Sequence, residues 1–486
     1  MPICGWKGWE TEMAAEEQAP VLAVLGHPNE GKSSVVSTLA EDDQVPISST
    51  PGETRQCRQY PVEIDGREVI RFVDTPGFQR PRDTLKWLSA YTGPADQMLP
   101  EFIRIHCSDA EFADECELLT PLAHGAGVIF VVDGSRPVRR TDRMEMEILR
   151  LTGLPRMIVI NTKDRALSEY LEDWKSQSRR HFNTIRIFDA QRASFAERIA
   201  LLESLKGIDP DWQPALKNVI DSFTADWQQR ITETAGIIED LLTSAAGHRV
   251  QKTCRDPGRI EQVRTELVHQ YQKDIAHFEA RAHQRIRKRF KHNIFSYELP
   301  AQSIVKEDLF SSKTWQVLGL TRRQLAWAGA GIGAGIGANV DLALGGLTFG
   351  VFTAIGGVMG AGSAAAGTRK MAKSKIKGQA LGGARLQVGP VENDPLLFVI
   401  IDRALIYFSH VINWAHSRRN SAGEKDFADI DIKAFLTSNW DDSARKTARR
   451  FFRAVRRNDA GETATISAAF REKLVNMLQE LSNFRG

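Results

Sequence analysis

The chain has 486 residues, with 64 lysine and arginine residues against 61 aspartate and glutamate residues and a formal net charge of +3. This length predicts two or three domains, and the near-neutral charge excludes a protein that is basic throughout, so any basic surface must be local. The five cysteines include no C-x-x-C pair, which argues against a disulfide framework or a zinc site and favours a reducing, cytoplasmic setting. Residues 1–17 are predicted to be a polar N-terminal extension without a signal peptide.

A glycine-rich loop follows the first apolar run of the chain, residues 20–25, and reads G-x-x-x-x-G-K-[ST]. In such a loop, successive backbone N–H groups cradle phosphate oxygens at the N-terminus of the following helix. We therefore predict a nucleoside triphosphate site, with Lys32 at the outer phosphates and the Ser33 hydroxyl on Mg2+. An accidental turn is the alternative, and the strand-loop-helix context disfavours it. The residues predicted to contact the nucleotide in this loop are Gly26, Asn29, Gly31, Lys32, Ser33 and Ser34.

A second motif, D-x-x-G, begins at Asp74 directly after the apolar run 69–73 and ends at Gly77. A triphosphate site needs a sensor of the terminal phosphate. We predict that Asp74 holds Mg2+ through water and that the Gly77 N–H contacts the terminal phosphate, which makes the following segment a switch. An ordinary turn is the alternative reading of Asp-Thr-Pro-Gly, but the distance from the first loop favours the sensor.

Residues 161–164, Asn-Thr-Lys-Asp, close another apolar strand and resemble the guanine signature N-K-x-D. We expect Asn161, Lys163 and Asp164 to bind the base. A carboxylate such as Asp164 can accept hydrogen bonds from both the ring N–H and the exocyclic amine of guanine, which adenine cannot offer in that geometry. Thr162 replaces the lysine of the signature, which removes an apolar stem over the base.

These motifs, in this order, resemble the translation-factor-related small GTPases of the Era, TrmE and EngA type over residues 18–207. The resemblance implies an α/β P-loop GTPase domain with a mostly parallel sheet flanked by helices. It also implies that Thr54 belongs to switch I and closes over Mg2+, and that Ala190 supports the base. Lys32, Thr54 and Gly77 would then carry the hydrolysis of GTP to GDP and phosphate.

Two residues refine the expected chemistry. Asn29 resembles the asparagine with which potassium-dependent members of this group hold K+ in place of an arginine finger, although it could simply brace the loop. Phe78 follows Gly77 where a water-orienting glutamine often lies. We expect slow intrinsic hydrolysis, stimulated by K+, by a second G domain that pairs across the nucleotide, or by another protein.

The rest of the chain is predicted to be largely α-helical. Residues 79–123 form a helical insertion, which either relays the nucleotide state or only packs on the domain. Residues 208–320 form a helical region, in which two apolar stripes with spacings of three and four indicate a helical pair or bundle with ordinary core faces. The stripes are Ile260, Val263, Leu267, Tyr271, Ile275, Phe278, Ala282, Ile286 and Phe290, and Val219, Phe223, Trp227, Ile231, Ile238 and Leu242.

A glycine-rich hydrophobic segment with basic flanks, residues 321–378, distinguishes this chain from a plain small GTPase. Residues 324–340 and 342–368 contain no charge, and these 17 and 27 residues are long enough for two membrane spans joined by a turn. Glycines recur every fourth residue, which allows close helix contact but destabilises a helix in water. We favour a hairpin in membrane lipid, with a buried soluble hairpin as the alternative.

The C-terminal region, residues 379–486, is predicted to be helical. A core helix begins near Leu396, and a final core helix carries an apolar stripe from Ile466 to Leu481. Between them, residues 443–458 form a basic amphipathic helix that suits anionic lipid or an RNA backbone. The alternative is a solvated helix that packs its aromatic side chains inward.

As a whole, the chain resembles an uncharacterised proteobacterial family in which an Era-like GTPase is fused to a C-terminal domain of unknown function. We expect a GTP-driven switch in the cytoplasm, bound peripherally or through the hairpin to the inner membrane. An Era-like ribosome or RNA assembly GTPase is the second hypothesis, with RNA the less favoured partner because no aromatic RNA-binding sheet or G-x-x-G basic module is evident. A fission-type mechanoenzyme with stalk helices is the third.

Overall fold

A computed structural model gives the fold of this chain. It describes residues 19–40, 56–64, 67–162, 169–189, 195–290, 303–310, 352–353, 375–376, 379–380, 384–391, 394–412 and 436–483. The chain divides into two compact units, the first ending at Gln228 and the second beginning at Gln229. This boundary falls inside one long helix, later in the chain than the predicted end of the GTPase domain at residue 207.

The first unit is built on a six-stranded sheet with the order β2-β3-β1-β4-β5-β6. Only β2 pairs with its neighbour in the antiparallel direction, and the other pairs are parallel. Parallel strands need crossover helices, so both faces are covered and the central strands are continuous apolar runs. The strands are β1 Val21–Leu25, β2 Arg58–Ile64, β3 Arg67–Asp74, β4 Gly127–Asp133, β5 Arg156–Asn161 and β6 Thr184–Phe188.

Helices pack on both faces of this sheet, and the sheet separates the core into two clusters. One cluster contains Phe130 and Ile158 from the sheet, with Phe78 and apolar residues of the 79–123 insertion. The other contains Ile129 and Val131, which point to the opposite face because side chains alternate along a strand. The helices are α1 Lys32–Ala40, α2 Pro81–Ala90, α3 Met98–His106, α4 Ala113–Ala123, α5 Arg140–Leu151, α6 Leu171–Ser178, α7 Phe195–Lys206 and α8 Gln213–Gly247.

The second unit is mostly helical, as predicted, and the two apolar stripes are confirmed as core faces. Nearly every member of the stripe on α9 is buried, and so are most members of the stripe on α8. The helices of this unit after α8 are α9 Ile260–Arg289, α10 Pro395–Ile412, α11 Asp442–Arg457 and α12 Ala460–Asn483.

A buried ion pair connects α9 and α10. The Arg403 guanidinium donates to both carboxylate oxygens of Glu279, at 2.6 and 3.0 Å, and also to the carbonyl oxygens of Ile304, Val305 and Glu307. Helix α10 has the length and hydropathy of a membrane span, but 83% of it is buried inside the protein. It is therefore the core helix that the sequence predicts.

Short strands in the second unit were not predicted. A three-stranded antiparallel sheet has the order β7-β11-β8, and a two-stranded ladder pairs β9 with β10. Three of these strands have only two residues, which is too short for the hydrophobic periodicity that is the main signal in a sequence. The strands are β7 Val250–Cys254, β8 Phe352–Thr353, β9 Lys375–Ile376, β10 Gln379–Ala380 and β11 Ala384–Val388.

Strand β8 lies within the second predicted membrane span, residues 342–368. Its two residues pair with Gln387 and Val388 of β11, so this segment is not one uninterrupted helix. All other residues of 324–368 lie outside the described part of the chain.

The predicted basic helix forms as α11, and its apolar side packs inside the protein. Ala448, Phe451 and Phe452 are fully buried, and the Phe451 ring stacks on Phe470 of α12 with the centroids 4.6 Å apart. The apolar side of 443–458 is therefore not available to lipid, and only its cationic side remains exposed. The expected contact of this helix with lipid or RNA stays a prediction. Aromatic side chains packed inward are what the alternative interpretation predicts.

Candidate nucleotide site

The G-x-x-x-x-G-K-[ST] motif connects β1 to α1 and adopts the backbone of a phosphate loop. Gly26 and Gly31 have φ values of +145° and +97°, and Asn29 has φ 69°. A Cβ on Gly26 would lie 2.2 Å from the Val131 carbonyl oxygen, so this position accepts only glycine. The loop therefore turns tightly enough to direct its N–H groups to one point above the first turn of α1, where Ser34 is buried.

Lys32 lies across this loop. Its ammonium group donates to the carbonyl oxygens of Gly26 and His27, both at 3.2 Å, and only 7% of the residue is exposed. Burial lowers the pKa of Lys32, and the nearby carboxylate of Asp74 opposes this shift. A phosphate group above the loop would add the negative charge that favours the ammonium form.

Ser33 and Asp74 meet at the carboxyl end of the sheet. The Ser33 hydroxyl donates to Asp74 Oδ2 at 2.7 Å, and Asp74 is 2% exposed at the end of β3. A hydroxyl and a carboxylate are hard oxygen donors of the kind that Mg2+ prefers. Two of the three predicted Mg2+ residues are thus brought together in a donor set that fits this ion, and the third, Thr54, lies outside the described part of the chain.

Gly77 of the D-x-x-G motif packs against the phosphate loop. A Cβ on Gly77 would lie 2.5 Å from Pro28 Cδ, so the backbone of the two motifs is in close contact. The Thr75 hydroxyl fixes the segment by donating to the Val24 carbonyl at 2.8 Å. Phe78 is fully buried in the core and cannot orient a water molecule.

The structure describes only some of the residues that are predicted to bind the guanine base. Asn161 is 2% exposed at the end of β5 and donates from Nδ2 to the Glu30 carbonyl at 3.0 Å, which ties it to the phosphate loop. The Thr162 N–H donates to the Phe188 carbonyl at 3.1 Å, so the loops that follow β5 and β6 start side by side. The remaining predicted residues lie outside the described part of the chain, and their roles stay predictions: Thr54, Lys163, Asp164 and Ala190.

Comparison with known families assigns both parts of the chain. Residues 21–162 match a family model described as 50S ribosome-binding GTPase, and residues 175–480 match a domain of unknown function, DUF3482. The second match covers more than half of the chain. The chain belongs to the DUF3482 family. This DUF3482 protein is an Era/EngA-type GTPase domain fused to a C-terminal domain of unknown function, which confirms the predicted architecture.

Curated relatives match about a third of this chain. GTPase Der of Bifidobacterium longum (strain NCC 2705) is 31% identical over 164 residues, which are 33% of this chain and 30% of that protein. GTPase Der of Nostoc punctiforme (strain ATCC 29133 / PCC 73102) is 29% identical over 159 residues, 32% of this chain and 29% of that protein. The chain thus spans about a third of the length of these relatives.

Solved structures that are similar include two of Era. The crystal structure of Era with MgGDPNP and a fragment of 16S ribosomal RNA is 17% identical, has a TM-score of 0.29, and covers 40% of this chain and 58% of that one. An Aquifex aeolicus Era variant bound to GDP and AlF4- is 20% identical, with a TM-score of 0.27, and covers 39% and 57%.

An ionic network behind the phosphate loop of the DUF3482 protein was not predicted. Arg136 donates to Glu30 Oε1 at 2.5 Å and to Asp142 Oδ2 at 2.6 Å, and the side chains of both acids are almost fully buried. The Trp174 indole donates to the Arg136 carbonyl at 2.7 Å. Glu30 and Arg136 are 106 residues apart, and no local pattern signals such a pair.

A second unpredicted contact joins the phosphate loop to α5. His27 Nδ1 lies 3.1 Å from Oε1 of Glu145, which is fully buried. Burial raises the pKa of Glu145 to about 7, although the hydrogen bond from His27 works in the opposite direction. That hydrogen bond also raises the pKa of His27, against the effect of burial. The pair therefore retains a proton in the folded protein at mildly acidic pH.

Proposed function

We propose that this chain binds GTP with Mg2+, hydrolyses it, and acts as a nucleotide-dependent switch whose C-terminal half associates with a membrane. The observation that carries the nucleotide part is the convergence of Ser33, Asp74 and Gly77 on the phosphate loop. The family description as a GTPase and the relatives named GTPase Der support the choice of nucleotide.

The chain's own residues position the triphosphate. Mg2+, held by Ser33 and by Asp74, directly or through water, would neutralise charge on the outer phosphates. Lys32 supplies a fixed positive charge at the loop, and the Gly77 N–H contacts the terminal phosphate. Because Phe78 is buried and apolar, the protein lacks an orienting glutamine at this position, so intrinsic hydrolysis is slow.

We propose that GTP hydrolysis is accelerated by K+ held with the help of Asn29, or by a second G domain paired across the nucleotide. Asn29 has a left-handed backbone conformation, with φ 69°, and lies in the loop that is proposed to bind the phosphates. Phosphate release in K+ and in Na+ at equal ionic strength tests the first idea. Equal rates in the two salts would remove it.

Guanine specificity is proposed to depend on Asp164, supported by Asn161. The experiment measures binding of GTP, ATP and xanthosine triphosphate to the wild type and to Asp164→Asn. The variant should lose GTP affinity and gain affinity for the xanthine nucleotide, since an amide complements a ring carbonyl where the carboxylate complements an amine. An unchanged preference would contradict the base assignment.

Membrane association is proposed from the uncharged glycine-rich residues 324–368 and from the cationic side of α11. Four exposed cations of α11 form no ion pair within the described part of the chain. Their spacing of four, three and four residues aligns them over about 16 Å of helix. Each cation near an anionic leaflet contributes about 1 kcal/mol, so the surface suits peripheral contact at the inner membrane. The four are Lys446, Arg450, Arg453 and Arg457.

Vesicle flotation with anionic and with neutral lipid tests this part, using the full chain with GTP and with GDP. A variant with glutamine at the four α11 cations should bind anionic vesicles less tightly than the wild type. The matched control replaces four exposed cations outside α11, Arg255, Lys273, Arg281 and Lys288. If the wild type stays soluble with both lipids and both nucleotides, the membrane proposal is wrong.

A ribosome or RNA assembly role is the second candidate, which the family description as a 50S ribosome-binding GTPase favours. The aromatic side chains Phe451 and Phe452 of α11 are buried, so they are not available to stack on bases. Co-sedimentation with ribosomal subunits in the presence of GTP would favour this role over membrane binding.

A further inference from the structure

Helix α4 of the insertion contacts the segment that follows the D-x-x-G motif. Glu115 of α4 is fully buried, and its carboxylate accepts hydrogen bonds from the backbone N–H groups of Gln79, at 2.8 Å, and of Arg80. These residues follow Gly77 by two and three positions. The segment after Gly77, which we call switch II, is therefore oriented by one side chain from the insertion.

The same helix contacts Cys57, which lies between the predicted switch I and β2. Glu117 accepts a hydrogen bond from the Cys57 backbone N–H at 2.8 Å, and the Glu117 carbonyl accepts one from the Cys57 thiol at 3.2 Å. Cys57 lies three residues after Thr54, the predicted switch I threonine, and directly precedes β2. One turn of α4 thus binds the backbone that follows Gly77 and the backbone that leads from the predicted switch I into β2.

Packing alone does not account for these contacts. Phe78 and apolar residues of α3 and α4, among them Phe102 and Leu118, already form a shared core that docks the insertion. A buried carboxylate costs desolvation energy unless its hydrogen bonds compensate, and here those hydrogen bonds are directed at switch backbone. The two glutamates therefore place charge-assisted hydrogen bonds on the backbone of the segments that are expected to change with the nucleotide.

We propose that Glu115 and Glu117 are positioning residues. They hold switch II and the chain that follows switch I in the arrangement in which Gly77 lies against Pro28 of the phosphate loop. A terminal phosphate favours the same arrangement because it binds the Gly77 N–H, whereas GDP lacks that group. Loss of the contacts then weakens a GTP analogue more than GDP, by linkage. The inference rests on the proposed guanine nucleotide site. It adds the part of the chain whose contacts distinguish bound GTP from bound GDP.

The test measures the dissociation constants of fluorescent GDP and of a fluorescent non-hydrolysable GTP analogue for the full chain. In Glu115→Ala and in Glu117→Ala, we expect the ratio of the analogue's constant to that of GDP to rise about fivefold or more. The double variant should show less than the product of the single effects, because both residues act through one helix. Glu115→Gln and Glu117→Gln keep an acceptor oxygen and should retain most of the wild-type ratio.

Two control variants separate positioning from stability. Glu101→Ala removes an exposed carboxylate of α3 that pairs with Arg104, and Leu119→Ala truncates a buried residue of α4 in the core that also contains Phe78. Neither substitution removes a hydrogen bond to the backbone of Gln79, Arg80 or Cys57. Both should keep the wild-type ratio, with a lower melting temperature only for Leu119→Ala. If Glu115→Ala and Glu117→Ala lower the melting temperature but keep that ratio, the proposal is overturned.

Glu117 is only partly buried, so its variants decide the question alone if Glu115→Ala does not fold. A wild-type ratio in Glu117→Ala would then be enough to overturn the proposal. If the wild-type chain binds neither nucleotide, the proposed function itself fails, and the wild-type control makes this outcome distinguishable.

Discussion

Replacing Arg136 with alanine should strongly destabilise the first unit. Its guanidinium is the shared partner of Glu30 and Asp142, whose side chains are only 5% and 1% exposed. The substitution leaves two buried carboxylates without the charge that compensates their desolvation. Removal of one member of a buried ion pair typically costs about 3–5 kcal/mol, and the Arg136 side chain, at 13% exposure, belongs to this class.

Urea unfolding of the full chain, followed by circular dichroism, measures this loss for the transition that reports the first unit. Arg150→Ala is the matched control, because Arg150 lies on α5 and pairs with Glu147 at the surface. Exposed pairs contribute about 0–1 kcal/mol, so the control should change little. A loss for Arg136→Ala no larger than that of Arg150→Ala would refute the reasoning. GTP affinity should fall as well, since Glu30 belongs to the phosphate loop.

Three further substitutions test other parts of the structure. Because the folded-state pKa of Glu145 lies near 7 against an ordinary 4.5, its contribution to stability is present below pH 4.5 and is lost as the pH rises to about 7. Glu145→Gln should therefore flatten the dependence of the melting temperature on pH between about pH 4.5 and 7, because it also removes the hydrogen bond that raises the pKa of His27. An unchanged slope would contradict the assignment. Gly77→Ala places a Cβ 2.5 Å from Pro28 and should weaken a GTP analogue about tenfold while leaving GDP binding nearly unchanged in a titration. Phe451→Ala opens a cavity in the second unit and should cost about 3–5 kcal/mol in urea unfolding, whereas a loss below about 1 kcal/mol would place this ring outside the core.

The nucleotide site was predictable because its motifs are local. Gly26 and Lys32 lie within one loop, and the position of Asp74 at the end of a strand follows from the apolar run before it. In a parallel sheet such residues meet at one edge, which the contact between Ser33 and Asp74 shows. The apolar stripe of α9 was equally clear, because eight turns of one helix repeat the same signal.

Long-range polar contacts could not be predicted. Glu115 is one acid among several in the insertion, and nothing near it in the sequence indicates that it accepts hydrogen bonds from Gln79 and Arg80. The pair of Arg136 and Glu30 depends in the same way on the complete fold. For α11, the sequence predicts an apolar side and a cationic side but does not indicate what packs against the apolar side. In the structure, Phe451 of that side stacks on Phe470 of α12.

One measurement tests the central claim most directly: calorimetric titration of the full chain with GTP and with ATP, in Mg2+ and in EDTA. The account predicts that GTP binds in preference to ATP, that EDTA weakens GTP binding, and that Ser33→Ala reduces the difference between Mg2+ and EDTA. Equal affinity for GTP and ATP, or GTP affinity that does not change with Mg2+, would contradict it.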